Sequence, residues 1–452
     1  MTKIRKNKIT TLNFDVYIVT WNVGTKYPDD ISLHSLLGLN KNPSLSEYLP
    51  DIYAIGLQEV NSQPQNQLLG FFKEDQWIQK FKDVLQGLDY VSVKTEQMQG
   101  LLLTVFVRKQ HLVHLRNIES EYTRTGLGNL WGNKGAVSVR MQLYGVATTF
   151  VAAHLAAHDH ELDERIEDYK QIINNHHYHV KKYKNIFDHD YVFWFGDLNF
   201  RLSGDDSPEQ VRSLVEKNNL KELLERDQLF SVRRENKAFQ YLEERLPEFP
   251  PTFKFKEGTS QYDMKRRPAW TDRILYAVQK DNYANVTLNL NQKSYKCHPG
   301  YNISDHKPVT SEFLMAVQDI PVTEGDNIEF TFISRWVIDE ENIIEYWQSK
   351  DFRPASSDWI GIYKQSFASL SEYIAYEYVN QAECYPVEDS ENLTHCSLRA
   401  EFPENVHLND GESYILIYIK NTGIRGVMSI CGISNVFRGE NRPPSPRFEA
   451  VD

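Results

Sequence analysis

The segment Tyr191–Leu202 reads Tyr-Val-Phe-Trp-Phe-Gly-Asp-Leu-Asn-Phe-Arg-Leu. Its first five residues have the length and composition of a strand that is buried on both faces, and Gly196 then ends the run and permits a turn. Asp197 and Asn199 follow and alternate with apolar residues, so an extended backbone would place both side chains on one side. The pattern predicts a buried strand that delivers a carboxylate and an amide to a cleft, where they can bind water and a phosphate oxygen. The alternative is a loop in which both side chains bond to their own turn.

The bulk composition excludes some classes of protein. The chain has 452 residues, 41% of them hydrophobic, and a formal net charge of −12. This length predicts two or three domains, and the negative charge argues against a nucleic-acid binder, which needs a basic surface. The four cysteines include no CxxC pair, which favours a reducing compartment and no zinc cluster. Without a signal peptide, membrane span or lipidation cysteine in the sequence, we expect a cytosolic protein that meets membranes only at their surface.

Up to about residue 318, predicted strands alternate with helices and hairpins, which is typical of a layered α/β domain. Amphipathic periodicity predicts helices over Gln76–Leu88 and Glu161–Tyr183, and Ser207 opens a further helix with a capping box. No second run of metal ligands lies near the histidines at the end of the Glu161–Tyr183 helix. These histidines are therefore predicted to lie at the surface: His176, His177 and His179.

The composition changes after residue 318. From Asn327 to Phe437, strand-like runs are separated by Gly, Asn, Asp and Pro turns, which is the pattern of a small β-sandwich. We predict two domains, 14–318 and 327–438, with a linker over 319–326 and a flexible tail over 439–452. The aromatic residues of the second domain are predicted to belong mostly to its core or to one face: Trp359, Tyr363, Tyr376 and Tyr378.

Several predicted strands of the first domain end in an acid, an amide or a histidine. These residues are Asn22, Glu59, His154, Asp197 with Asn199, Asp272, and Asp305 with His306. Many polar strand ends indicate one polar cleft at one edge of the sheets. Oxygen ligands without cysteine favour magnesium over zinc. The set predicts metal-assisted hydrolysis of a phosphate ester, with a metal on the phosphoryl group, a carboxylate that orients water, and cations that take up the developing charge.

Short motifs occur in the order seen in the inositol polyphosphate 5-phosphatases, and the resemblance covers about residues 14–318. The motifs are Trp21-Asn22-Val23-Gly24, Gly56-Leu57-Gln58-Glu59-Val60, Asn133-Lys134-Gly135-Ala136-Val137, His154-Leu155-Ala156-Ala157-His158, Trp194-Phe195-Gly196-Asp197-Leu198-Asn199-Phe200-Arg201, Pro268-Ala269-Trp270-Thr271-Asp272-Arg273-Ile274 and Ser304-Asp305-His306-Lys307-Pro308. Two later segments, 358–363 and 414–418, resemble the SKICH domain. The resemblance implies a four-layered α/β sandwich of the endonuclease/exonuclease/phosphatase type, followed by an all-β, immunoglobulin-like SKICH domain.

The resemblance also implies roles for individual residues. Asp197 would orient the attacking water, and Asn199 would lie beside the phosphate. His306, paired with Asp272, would stabilise the transferring phosphoryl group, and His154 would hydrogen-bond the phosphate. The hydrolysis would be direct, without a phosphoenzyme, which fits the lack of the Cys-x5-Arg loop that cysteine phosphatases need.

The implied cofactor is Mg²⁺, held by Glu59 with the help of Asn22, and Asp305 would lie at the metal. The implied substrate-binding residues are Lys134, Asn133, Lys254, Arg266 and Lys265. In the family, the positions of Lys254 and Arg266 bind the 4-phosphate, and Lys134 is the candidate for the 1-phosphate side. The sequence departs from the family at Phe253, where tyrosine is usual, and at Met264, where a second lysine often occurs.

The implied activity is magnesium-dependent removal of the 5-phosphate from phosphoinositides, chiefly the 4,5-bisphosphate and the 3,4,5-trisphosphate, or from soluble inositol polyphosphates. The SKICH domain implies recruitment to the plasma membrane or endoplasmic reticulum. It also allows for protein partners, whose identity the sequence does not indicate. We expect no nucleic-acid partner. Two alternatives stay open: a nuclease of the same superfamily, against which the net acidity argues, and a catalytically inactive membrane adaptor, against which the complete set of expected catalytic residues argues.

Overall fold

A computed structural model describes residues 11–39, 49–60, 75–125, 133–283, 287–318, 328–349, 352–379, 385–386, 395–423 and 426–442. The chain divides into two compact units, one of Met1–His111 with Asn117–Ile320, and one of Leu112–Arg116 with Pro321–Asp452. The predicted linker over 319–326 and most of the predicted tail lie outside the described residues. Among the helices that the structure describes, none has the length and hydropathy to cross a membrane.

The first unit contains strands and helices in alternation. Its strands are β1 Thr11–Asn22, β2 Ile52–Gln58, β3 Tyr90–Met98, β4 Leu101–Arg108, β5 Leu115–Arg124, β6 Gly135–Leu143, β7 Val146–His154, β8 Tyr191–Asp197, β9 Asp272–Val278, β10 Leu290–Cys297 and β11 Val309–Gln318. Its α-helices are α1 Gln76–Leu85, α2 Leu162–Asn175, α3 Pro208–Glu216, α4 Leu220–Leu224 and α5 Gln228–Arg234. Short 3₁₀ turns cover Gln86–Leu88, Lys109–His114, Lys181–Tyr183 and Ile186–Asp188.

Two mixed sheets form the centre of this unit. One has the order β10-β11-β1-β2-β4-β3, and the other contains the run β5-β6-β7-β8-β9. Each sheet has one parallel pair, β1 with β2 and β7 with β8. The sheets pack face to face: the ring of Phe193 in β8 lies 5.1 Å from that of Phe313 in β11. Glycine is needed at position 56, because a Cβ atom there would lie 2.7 Å from the ring of Phe195 in the facing sheet.

Helices cover the outer faces of both sheets. Trp77 and Phe81 of α1 are buried in one apolar cluster with Trp21 of β1. On the other side, Ile166 and Tyr169 of α2 belong to a second cluster that includes the outer side chains of β8. These helical side chains recur at spacings of three or four residues, so one face of each helix is apolar. The order helix, sheet, sheet, helix confirms the predicted four-layered sandwich.

Strand β8 confirms the prediction for the apolar run, because every residue in Tyr191–Asp197 is buried. The next segment is not extended: Asn199 has a φ of +57°. The premise that Asp197 and Asn199 share a face by strand alternation is therefore wrong. The backbone turns at Asn199, whose N–H donates to Asp197 Oδ1 at 3.1 Å, as in the loop alternative.

Helix α2 ends at Asn175 rather than at the predicted Tyr183. His176 leaves the helical conformation, with φ −84° and ψ 97°, and its side chain is fully buried. The imidazole bridges two strands, with Thr123 Oγ1 2.8 Å from Nδ1 and Ser138 Oγ 2.6 Å from Nε2. The surface prediction is wrong for His176, because hydroxyl groups on the sheet satisfy its ring nitrogens.

The other two histidines of this segment differ from each other. His177 is exposed, as predicted. His179 is only partly exposed, because its Nδ1 lies 2.6 Å from the buried carboxylate of Glu119. The surface prediction is therefore confirmed for His177 and is incomplete for His179.

The second unit is all-β. Its strands are β12 Ile328–Phe330, β13 Trp336–Val337, β14 Asn342–Ser349, β15 Trp359–Lys364, β16 Ala375–Tyr378, β17 Tyr385–Pro386, β18 His395–Phe402, β19 Ser413–Asn421, β20 Met428–Ile433 and β21 Phe437–Glu440. One sheet has the order β12-β14-β18-β17, and in the other β19 pairs with β15, β20 and β21. Apolar side chains of both sheets share one core cluster. Because β21 extends to Glu440, the predicted tail does not begin at residue 439.

Candidate active site

The ends of neighbouring strands bring the predicted polar residues together. The register of the second sheet places His154 opposite Asp197, and Asp197 opposite Asp272. In the first sheet, Asn22 ends β1 beside the end of β2, and Glu59 follows β2 directly. The two sheets meet at the amide of Asn22. Its Nδ2 donates to Asp197 Oδ2 and to Glu59 Oε1, each at 3.0 Å.

Asp197 lies at the centre of this cluster and is 1% exposed. Its Oδ2 lies 3.4 Å from His154 Nε2 and 3.8 Å from His306 Nε2. Burial alone would raise the pKa of Asp197. The charge of His306, the hydrogen bond with His154 and the charge of the Lys134 ammonium together outweigh burial and lower that pKa below its usual value. Asp197 is therefore a carboxylate at neutral pH.

His306 and Asp272 form a buried pair. His306 Nδ1 lies 2.9 Å from Asp272 Oδ2, and the same oxygen accepts from Thr252 Oγ1 at 2.7 Å and Thr271 Oγ1 at 2.9 Å. Burial opposes a charge on the imidazole, but the carboxylates of Asp272 and Asp197 outweigh burial and raise the pKa of His306 to about 9. The pair is thus an imidazolium bonded to a carboxylate, and the Nε2 atom of His306 faces Asp197.

Lys134 lies against His154 on the other side of Asp197. Lys134 Nζ is within hydrogen-bonding distance of His154 Nε2. Burial and the lysine charge lower the pKa of His154, so its imidazole is neutral at pH 7. Burial also lowers the pKa of Lys134, against the attraction of Asp197 and Glu59. Asn133, the preceding residue, is exposed.

Both amide atoms of Asn199 have protein partners. Nδ2 donates to the carbonyl oxygen of Leu155 at 3.0 Å, and Oδ1 accepts from Arg201 Nη2 at 2.6 Å. Arg201 also donates from Nε to the carbonyl oxygen of Asn199 at 3.1 Å. Asn199 therefore ties the turn after β8 to the turn after β7, which begins next to His154.

The segments that contain Lys254 and Arg266 pack side by side. The N–H of Asp263 donates to the carbonyl oxygen of Lys254 at 2.8 Å, and Arg266 N donates to Asp263 O at 3.2 Å. Lys254 Nζ lies 3.1 Å from Asp305 Oδ2. Lys265 and Arg266 are exposed, with Met264 just before them. The structure therefore brings Lys254 to the Asp305–His306 turn and leaves Arg266 accessible.

Phe253 forms a wall of the cleft and was not recognised as such in the sequence. Its ring centroid lies 4.4 Å from that of His306, and the guanidinium carbon of Arg201 lies 4.5 Å from the Phe253 centroid. The ring is 8% exposed. Phe253 thus contacts the imidazole of His306 and, at a distance typical of a cation–π contact, the guanidinium of Arg201.

The donor set suits a hard divalent cation. Side-chain atoms of Asp197, Asp272 and His306 lie within 4.8 Å of one another, but a protonated His306 paired with Asp272 cannot bind a metal, which leaves Asp197 as the carboxylate of this group that can. The predicted ligand Glu59 shares the Asn22 amide with Asp197, and its side chain is 43% exposed. Two carboxylates that share one amide nitrogen repel each other, which favours a cation beside them, and oxygen donors are the ligands that Mg²⁺ prefers. Asp305 is ion-paired with Lys254 in this structure.

Some residues around the site had no signal in the sequence. Arg165 of α2 is fully buried and donates to the carbonyl oxygens of Ala156 and His158, at 3.1 and 2.7 Å, and to Gln228 Oε1 at 2.9 Å. Gln228 Oε1 also accepts from the main-chain N–H of Arg201 at 2.9 Å. Helical periodicity places Arg165 on α2 but gives no indication that it faces the site.

Comparison with known proteins identifies the family. Residues 19–312 match Endonuclease/Exonuclease/phosphatase family 2, and residues 328–439 match the SKICH domain. Mouse inositol polyphosphate 5-phosphatase K is 34% identical over 439 residues, which cover 94% of this chain and 89% of that protein. The chain belongs to the inositol polyphosphate 5-phosphatase family and carries a SKICH domain.

Two further relatives of this 5-phosphatase family support the assignment. Mouse phosphatidylinositol 4,5-bisphosphate 5-phosphatase A is 37% identical over 383 residues, which cover 82% of this chain but only 37% of that protein. The chain therefore spans less than half the length of that relative. The 5-phosphatase domain of SPsynaptojanin, solved with inositol (1,4)-bisphosphate and calcium ion, aligns with a TM-score of 0.58 and 31% identity over 69% of this chain and 86% of that one.

Proposed function

We propose that this protein is a magnesium-dependent phosphatase that removes the 5-phosphate of phosphoinositides, chiefly phosphatidylinositol 4,5-bisphosphate and 3,4,5-trisphosphate, and accepts soluble inositol polyphosphates. The observation that carries the proposal is the cluster in which an anionic Asp197 faces the imidazolium of His306. A carboxylate and a cation at this spacing can hold a water molecule and a phosphoryl oxygen side by side. The relatives named above are 5-phosphatases by name.

In the proposed reaction, Asp197 accepts a hydrogen bond from a water molecule and orients it toward phosphorus. A bond forms between the water oxygen and phosphorus, the bond from phosphorus to the ring oxygen breaks, and one proton of the water ends on the ring oxygen, which gives inorganic phosphate and a ring hydroxyl. His306 donates from Nε2 to the phosphoryl group, and Asp272 holds the imidazolium in place. Preorganised donors of this kind stabilise the charge that develops in the transition state.

Three further side chains complete the proposed phosphate site. Neutral His154 hydrogen-bonds the phosphate, and the adjacent Lys134 adds positive charge. Asn199 stays close to the phosphate, with one amide hydrogen bonded to Leu155. Glu59, with Asn22 and Asp305, would hold Mg²⁺. When bound, Mg²⁺ polarises the phosphoryl oxygens and offsets the negative charge of the substrate.

Ring phosphates other than the 5-phosphate would bind at the rim. We assign the 4-phosphate to Lys254, Arg266 and Lys265, because Lys254 contacts Asp305 and the segment with Lys265 and Arg266 packs beside Lys254. Binding of this phosphate would compete with Asp305 for the Lys254 ammonium. Phe253 and Met264 supply neither a hydroxyl nor a charge here, so the 4-phosphate should bind less tightly than with the usual tyrosine and second lysine. Lys134, whose ammonium also adds charge to the phosphate site beside His154, is assigned together with Asn133 to the 1-phosphate side.

We infer a cytoplasmic protein that is recruited to the surface of the plasma membrane or endoplasmic reticulum through its SKICH domain. The inference rests on the lipid substrate and on the family of the second domain. Lipid is preferred to soluble substrate because of the family of the second domain.

The test is phosphate release by the full chain from a panel of soluble inositol phosphates and phosphoinositide vesicles, with and without Mg²⁺. Release confined to substrates with a 5-phosphate, and lost when EDTA removes the metal, is the expected outcome. Cleavage of abasic DNA by the same preparation would instead favour a nuclease. A folded protein that is inactive on every substrate would favour an adaptor.

A further inference from the structure

The negative charge of the protein is concentrated in its second domain. Residues 14–318 contain 39 acidic and 36 basic residues, whereas residues 327–438 contain 17 acidic and only 8 basic residues. Between Lys364 and Arg399 the sequence includes six acidic residues and no lysine or arginine. Strand β16 lies within this acidic stretch. A surface with this charge attracts cations and repels anionic surfaces.

An aromatic ladder lies on the outer face of β15 and β16. It consists of Trp359 of β15, Tyr376 and Tyr378 of β16, and Tyr373, which precedes β16 and contacts the rings of Trp359 and Tyr376. The cross-strand register pairs Trp359 with Tyr378, and Gly361 with Tyr376. Adjacent rings meet nearly at right angles: the centroids of Trp359 and Tyr376 are 5.6 Å apart, and those of Tyr376 and Tyr378 are 5.4 Å apart.

The ladder is exposed to an unusual degree. Tyr373, Tyr376 and Tyr378 are 43%, 41% and 60% exposed, and the neighbouring Ile374 is 37% exposed. Contiguous exposed aromatic residues of this kind mark interaction sites in soluble proteins. Tyrosine and tryptophan are also enriched in protein interfaces, because they offer large contact areas at a small entropic cost.

The acidic surroundings of the ladder determine the charge of its preferred ligand. Exposed Glu372 directly precedes Tyr373, whereas Glu377 alternates with Tyr376 and Tyr378 in β16 and therefore points to the opposite face of the strand. Tyrosine and tryptophan faces attract guanidinium and ammonium groups, and nearby carboxylates strengthen this attraction. Lys364 at the end of β15 is ion-paired with Glu412, at 3.0 Å. The negative charge of the domain and the aromatic rings of the ladder therefore both favour a cationic ligand.

We propose that the aromatic ladder of the SKICH domain docks a basic segment of a partner protein, with arginine or lysine side chains packed against its tyrosine faces. Direct binding to a membrane is disfavoured, because anionic lipids attract polybasic surfaces and this domain is acidic. Recruitment to a membrane would then run through the partner. The proposal goes beyond the phosphatase activity and does not depend on it.

The test measures binding of the full chain to fluorescent peptides by anisotropy. One peptide carries arginines spaced by glycine and serine, and a matched peptide carries neutral citrulline in their place. We expect the arginine peptide to bind about tenfold more tightly at low salt, with the difference reduced at high salt. Tyr376→Ala and Tyr378→Ala should each weaken binding about two- to fivefold, as expected for the loss of an exposed cation–π contact.

Phe332→Ala is the matched control, because Phe332 is an 81% exposed aromatic residue of the same domain outside the ladder. It should leave binding of the arginine peptide unchanged, and thermal melts should show that all three variants are folded. Equal binding of the two peptides, or binding that Tyr376→Ala and Tyr378→Ala do not weaken, would overturn the proposal. The proposal would also be overturned if the full chain sedimented with phosphatidylserine vesicles that contain no inositol lipids and if Tyr376→Ala and Tyr378→Ala each abolished this sedimentation.

Discussion

At the scale of single residues, Asp197 is held by groups from both sheets of the catalytic unit. Asn22 donates to it from β1, and His154 and His306 face it from the second sheet and the Asp305–His306 turn. Such convergence fixes the carboxylate in one position and keeps it charged. Removing the charge while keeping the shape of the side chain therefore tests its role directly.

Asp197→Asn should lower kcat for 5-phosphate release by about 10²- to 10⁴-fold, the range associated with loss of a positioned side chain that accepts a hydrogen bond from the attacking water. The amide keeps the size of the carboxyl group, so we expect the melting temperature and circular dichroism to be nearly unchanged. The measurement is phosphate release at saturating substrate and Mg²⁺. Normal turnover by a folded Asp197→Asn protein would remove Asp197 from the mechanism.

Arg266→Ala tests the assignment of the 4-phosphate. Arg266 is exposed, so its replacement should not disturb folding. We expect KM to rise about tenfold for substrates with a 4-phosphate, because a charge-assisted contact is lost, and kcat to change little. A substrate with phosphates at ring positions 3 and 5 is the internal control. An equal rise in KM for that substrate would assign Arg266 to general attraction of anions instead.

Residue-level predictions succeeded where polar groups follow buried strands. His154, Asp197 and Asp272 were placed together correctly, since strand register determines which strand ends are neighbours. The turn at Asn199 was not predicted, because a positive φ depends on hydrogen bonds that form only after folding. The contact of Phe253 with His306 was also missed, since it joins distant parts of the chain through side-chain packing.

At the scale of elements, helix α2 clamps the turn that follows His154. Arg165 binds the carbonyl oxygens of Ala156 and His158, and Asp168, one turn later on α2, accepts from the N–H of Ala156 at 2.8 Å. Through Gln228, Arg165 also reaches the segment that holds Arg201. Arg165 is thus a positioning residue that joins the two turns on either side of the phosphate site.

Arg165→Lys should lower kcat about 10- to 100-fold with little change in KM, because lysine keeps the charge but cannot bind three oxygens in a plane. Arg140→Lys is the matched control. Arg140 is equally buried, but its partners are His189 and the carbonyl oxygen of Asn117, which lie outside the site. We expect both variants to lose stability and only Arg165→Lys to lose turnover. Equal loss of kcat in both would mean that Arg165 acts through stability alone.

The buried residue His176 directly follows helix α2 and makes stability depend on pH. Burial lowers the pKa of His176 to about 3, whereas an unfolded histidine titrates near 6.5. Between these values the unfolded chain binds more protons than the folded chain, so stability rises with pH and falls on acidification from pH 7 toward pH 4. His176 alone should account for about 2 kcal/mol of the loss between pH 7 and pH 5.

Urea unfolding of the wild type and of His176→Gln at pH 7 and pH 5 measures this contribution. The difference in unfolding free energy between the two pH values should be smaller in His176→Gln by about 2 kcal/mol. His177→Gln, a change at the exposed neighbouring residue, should keep the wild-type difference. If His176→Gln keeps the full acid sensitivity, other groups are responsible for it.

The elements themselves were predictable in proportion to their apolar content. Strand β8 was found because all its side chains are buried. Strand β10 was missed because only Tyr295 in it is buried, so it has no apolar run. The end of α2 was placed too late, since the hydroxyl groups that bury His176 come from β5 and β6 and leave no trace in the periodicity of the helix.

At the scale of the whole molecule, chemistry and charge are divided between the two units. The predicted site residues lie between Asn22 and His306, within the first unit, and the excess of acidic residues lies in the second. If the SKICH domain recruits the enzyme through a partner protein, the domain should not bind vesicles of purified lipid. The effect of the SKICH domain on turnover should then depend on the presence of the partner and not on the membrane.

The full chain and the chain ending at Asp319 should therefore hydrolyse phosphatidylinositol 4,5-bisphosphate in vesicles at rates within about twofold of each other. Soluble inositol trisphosphate, for which no recruitment is needed, serves as the control for folding of the shortened chain. Equal rates on the soluble substrate, combined with much faster vesicle hydrolysis by the full chain, would mean that the SKICH domain binds lipid directly despite its charge.

Addition of phosphatidylserine to the vesicles further separates direct lipid binding by the SKICH domain from recruitment through a partner protein. Direct repulsion by the acidic domain would slow the full chain more than the shortened chain, and salt would relieve that difference within the screening range of exposed charges.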